Sequence, residues 1–116
     1  MFRRILLVAF FSGWMLEAAA HERAQEFATR VQSDLQKAVD YYRNSEQQKA
    51  PYKVAQRDVA AFQSQLEKGK FDQGKLTTVI GDLKTIHLSN NNTLDARDRE
   101  ALDRDLIDLQ SLRSTD

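Results

Sequence analysis

The sequence predicts an all-α protein, a small up-and-down antiparallel bundle of about four helices that follows a cleaved signal peptide. Three observations carry this. Past position 20 the apolar residues recur at spacings of three and four, the helical period, and strand-type alternation is absent. The chain has one Pro and four Gly, so breakers are few. The connections between the periodic segments are short, which favours antiparallel neighbours.

The first twenty residues have the layout of an export signal. Met1 to Arg4 is a short basic start. Ile5 to Leu16, ILLVAFFSGWML, is a nearly unbroken apolar run, and Ala18 and Ala20 supply small residues for cleavage. The run is shorter than the roughly 20 residues a membrane-spanning helix needs. Cleavage after Ala20 is expected, giving a signal over 1–20, a single helical domain over 21–116, a periplasmic or secreted location and no membrane contact afterwards. The chain holds no Cys, so neither a disulfide nor a Cys-linked lipid anchor is available.

Composition is best read without that segment. Removing Arg3, Arg4 and Glu17 leaves 15 basic against 16 acidic residues. This balance excludes the basic face that nucleic-acid binding needs, and it removes self-repulsion as a cause of disorder. Only about a third of residues 21–116 are apolar. A chain this small buries a modest share of its surface, so its stability rests on helix packing, a ligand or a partner.

Helix one is predicted from about Glu22 to about Gln48. Ala24, Ala28, Val31, Leu35, Ala38 and Tyr42 form a strict seven-residue seam, flanked by Phe27, Val39 and Tyr41. Pro51 is expected to break the chain and start helix two, since its ring suits a first turn and disrupts an interior. Helix two then runs to about Lys68 on the stripe Tyr52, Ala55, Val59, Phe62 and Leu66, with Gly69 as its stop. Asp72 is placed to cap helix three, and Phe71 and Leu76 are spaced as a hydrophobic staple. Its stripe is Leu76, Val79, Ile80, Leu83, Ile86 and His87. Gly81, inside it, marks either a close helix contact or a tolerated position. Ser89 to Thr93 is a turn. Helix four begins near Asp95, with Leu102, Leu106, Leu109 and Leu112 inward, helped by Ala101 and Ile107. Charges spaced four apart, such as Asp95 with Arg99 and Glu100 with Arg104, read as its solvated face. No internal repeat is evident.

Specialised chemistry has few candidates. Cleavage after Ala20 would give His21 both a free amine and an imidazole, a pair able to chelate copper, and His87 is the only other imidazole. Ser89 to Glu100 has the length of a calcium loop, but Ser89 stands where Asp is needed and Leu94 where Gly is needed. Nucleophile elbows, zinc-protease motifs and phosphate loops are absent, so no enzymatic activity and no cofactor are expected.

In size, export and lack of Cys the chain resembles the small periplasmic helical chaperones, whose LTxxQ signature it lacks; the nearest stretch is Leu76 to Ile80, LTTVI. That resemblance implies a holdase. The reading that the residues favour is a non-enzymatic interaction module, binding a protein partner or a second copy of itself through Phe27, Val31, Leu35, Tyr41 and Tyr42. The alternative is a metal-binding protein built on His21 and His87.

Overall fold

The computed structural model describes the backbone of residues 2–89 and 93–114, and the side chains of residues 20–89 and 93–113. Among these residues the chain is all-helical. The helices are α1 (Phe2–Tyr41), α2 (Glu46–Glu67), α3 (Gln73–His87) and α4 (Ala96–Ser114). The expected signal segment continues α1 toward the N-terminus, and its side chains lie outside the described residues. Among the described residues no helix is long and apolar enough to cross a membrane.

The four helices form a ring. α1 packs on α2 and α4, and α3 packs on the same two, while the diagonal pairs stay apart. Short connections and ring packing give the up-and-down arrangement, in which the hairpin α1–α2 lies against the hairpin α3–α4. The seam from Ala24 to Ala38 on α1 and Tyr42 just past its end are buried, as are Tyr52, Ala55, Val59, Phe62 and Leu66 of α2 and Leu76, Val79, Ile80, Leu83 and Ile86 of α3. α4 contributes Leu102, Leu109 and Leu112, with Leu106 partly buried beside them. Burying such side chains is the main favourable term in forming the bundle, about 1.5–3 kcal/mol for each large one.

Local signals set most helix ends. Asp72 caps α3 by accepting from the Lys75 amide at 3.1 Å. Gly69 takes φ +80, and the amides of Gly69 and Lys70 bond back to Leu66 and Gln65, a Schellman closure of α2. Phe71, half-buried, meets the Phe62 ring edge-on with centroids 5.7 Å apart.

Two expectations need correction. Pro51 does not start α2. Ser45 does, by accepting from the Gln48 amide at 3.2 Å, so α1 also ends well before Gln48. Pro51 therefore sits inside the helix. Its missing N–H would have bonded the Gln47 carbonyl. Gln47 is exposed, so water can satisfy that group. The second correction concerns Ile107, which is exposed rather than inward. At Gly81 nothing lies within 4 Å of where a Cβ would be, so the glycine marks no close helix contact.

Candidate functional site

The residues that sequence reasoning singled out are scattered. Val31, Leu35 and Tyr42 are consumed by the core, Phe27 is half-buried with Arg30 above its ring at 5.4 Å, and Tyr41 alone is exposed. His21 packs edge-on against Phe71, just before α3 begins. His87 closes α3, where its Nδ1 lies 2.7 Å from Asp103 Oδ1. The two histidines are therefore separated by the length of α3, roughly 20 Å at 1.5 Å per residue, and cannot share an ion. Among the described residues no three His, Asp or Glu side chains gather as metal ligands would. Leu94 is buried and anchors the α3–α4 connection in the core; Asn91 of the calcium-loop comparison lies outside the described residues.

One end of the bundle carries an open groove of about 410 Å³ between the start of α2 and the end of α3. Tyr42, Tyr52 and Ile86 line it, with Ser45, Gln48 and Thr85 adding polar groups. The Tyr42 and Tyr52 rings stack with centroids 5.7 Å apart. Burial, and then the neighbouring Tyr42, push the Tyr52 hydroxyl up to about 12, so it stays neutral. Tyr41 donates from its hydroxyl to the Thr93 carbonyl at 2.9 Å, and the hydroxyls of Tyr42 and Thr93 share a hydrogen bond at 3.0 Å. At this same end Leu88 is 75% exposed and Tyr41 53%.

The middle of the bundle holds polar contacts that the sequence reading missed. On the α1–α2 face the Gln32 side chain donates to the Gln56 carbonyl at 2.8 Å, and the Gln56 side chain donates to Gln36 at 2.9 Å. Such amides bring their own donors. On two other faces the meeting groups are both carboxyls: Asp34 of α1 with Asp105 of α4, and Asp58 of α2 with Asp82 of α3, each pair within hydrogen-bonding reach. Asp105 is 2% exposed and Asp34 8%. Asp105 Oδ2 and Asp82 Oδ2 are buried with no hydrogen-bond donor. Burial first, and then the partner carboxyl, raise Asp105 to about 8 and Asp82 to about 7.

These four aspartates occupy one register of the helical spacing. The segments are VQSDLQKA at 31–38, AQRDVAAF at 55–62, VIGDLKTI at 79–86 and LDRDLIDL at 102–109. In each, an apolar residue is followed at the third position by Asp, at the fourth by an aliphatic residue and at the seventh by another apolar one. Asp therefore sits beside each inward stripe on α2 and α3 and within the buried line on α1 and α4. Exchanging one hairpin for the other carries the α1–α4 pair onto the α2–α3 pair. A motif search could have found this register, but charge on a helix edge reads as a solvated face until its neighbour is known.

No family model matches the chain, and no curated protein or solved structure matches it either.

Proposed function

We propose that the chain is an exported, non-enzymatic helical module that binds a protein through the end of the bundle bearing Leu88, Tyr41 and the tyrosine-floored groove. The supporting observation is the exposure of Leu88 beside that groove. A large aliphatic side chain left in water next to a concave, neutral, aromatic floor suits an apolar anchor ringed by amide and hydroxyl contacts. The α1 seam is a poorer choice, because Val31, Leu35 and Tyr42 already face the other helices. Export rests on the order of basic, apolar and small residues over 1–20.

Leu88→Lys tests this, with Ile107→Lys, also exposed but on the flank of α4, as control. The readouts are mass by light scattering across a concentration series and capture of partners from the exporting host. Leu88→Lys is expected to weaken self-association or capture at least about tenfold, equivalent to 1.4 kcal/mol, while Ile107→Lys leaves it unchanged. A monomer at every concentration, whose captured set is the same in both variants, would contradict the reading.

A further inference from the structure

We propose that the Asp34–Asp105 and Asp58–Asp82 pairs are proton-operated clasps, each closed by one shared proton, which tighten the bundle in mild acid and loosen two of its four interfaces as pH rises. The geometry carries this. Two carboxylates cannot donate to each other, yet Asp105 Oδ2 and Asp82 Oδ2 are shut away from water with no donor. A buried acceptor left unsatisfied is costly, and two like charges at contact distance cannot both persist there. One proton on each pair removes both problems, since the protonated acid becomes the donor. The same register on all four helices makes the arrangement a feature of the fold rather than of one position.

Cations meet one carboxyl of each pair, Lys37 at Asp34 and Arg57 at Asp58, while the buried oxygens of Asp105 and Asp82 keep no donor. Those acting on Asp105 are Asp34 and Arg30 from α1 and Asp108 from its own helix. Arg30 is committed to Asp108 at 3.1 Å, and Lys37 reaches Asp34 only at 3.8 Å. α3, the other helix against α4, brings His87 to Asp103 instead. On Asp82 the acting charges are Asp58 and Arg57 of α2, and Arg57 lies 3.7 Å from Asp58.

The sign follows from proton counting. The folded chain holds protons on these groups that the unfolded chain has already released, so stability falls as pH rises. The contribution is full below the unfolded value of 3.8 and is lost as pH passes through about 7 for Asp82 and about 8 for Asp105.

The test is chemical unfolding of the purified chain and of Asp105→Asn and Asp82→Asn across mild acid to mild alkali, with and without added calcium or magnesium. Asn mimics the protonated acid and donates at every pH. The parent's unfolding constant is expected to rise more than tenfold across this range, and the double Asn variant is expected to stay nearly flat. A parent as stable in mild alkali as in mild acid would overturn the proposal. So would Asn variants that keep the parent's slope. If calcium or magnesium restored the parent's stability in alkali but not that of Asp105→Asn, the pair would be a cation site and the proton clasp would be wrong.

Discussion

Phe62→Ala is expected to destabilise the bundle by about 3–5 kcal/mol, the range for removing a fully buried aromatic ring. Phe62 is 1% exposed and is the contact through which the α2–α3 connection, via Phe71, joins the core. A domain of this size has only about 5–15 kcal/mol in total, and this one has no disulfide to hold it. Urea unfolding should show the midpoint displaced to much lower denaturant with the slope unchanged. Ile107→Ala, a change at an exposed position, should stay within about 0.5 kcal/mol. Equal effects at the two positions would mean that the core is not where the fold places it.

The double replacement Asp34→Leu with Asp105→Leu is expected to stabilise the protein in mild alkali by about 1–4 kcal/mol, the range seen when buried charged groups give way to apolar ones of similar size. The gain should shrink in mild acid, where the parent pair already holds its proton and only the apolar burial differs. Urea unfolding at the two pH values checks this. The single Asp105→Leu variant should gain less, because it leaves Asp34 beside an apolar group without its partner. At still lower pH a second effect opposes the clasps. The Lys49 hydrogen bond and charge hold Glu46 below its ordinary value, so its small, exposed contribution is present above 4.5 and is lost as pH falls through the lowered value. Stability is therefore greatest on the mildly acidic side of neutral.

Much of the fold was legible because helix packing writes itself into periodicity. The stripe from Ala24 to Ala38 on α1, with Tyr42 just past its end, and the stripe from Tyr52 to Leu66 on α2 are core. Asp72 caps α3 and Gly69 stops α2, as their residue types imply. Pro51 misled because a cap upstream can carry a helix past a proline when the carbonyl it strands faces water. Ile107 misled because an inward stripe centred on Leu106 leaves out Asp105, which is the buried residue of that turn. The inward line is Leu102, Asp105, Leu109 and Leu112, spaced three, four and three; two residues beyond Asp105, a helix points roughly 200° away.

The candidate site was far less legible. A carboxylate at a stripe edge becomes an unusual group only when a second carboxylate faces it from another helix, and that is a tertiary fact. Leu88 likewise looked like any other leucine near a helix end until its exposure beside the groove was known. The histidines drew attention through chemistry that their positions cannot perform together.

The shared protons can be observed directly. Carbon-detected NMR of the aspartate carboxyls, followed through a pH titration with Asp105→Asn and Asp82→Asn to assign the signals, reports each group's ionisation in place. Asp105 and Asp82 are expected to titrate near neutrality. Asp105 and Asp82 ionising near the ordinary value of about 4 would contradict the shared protons.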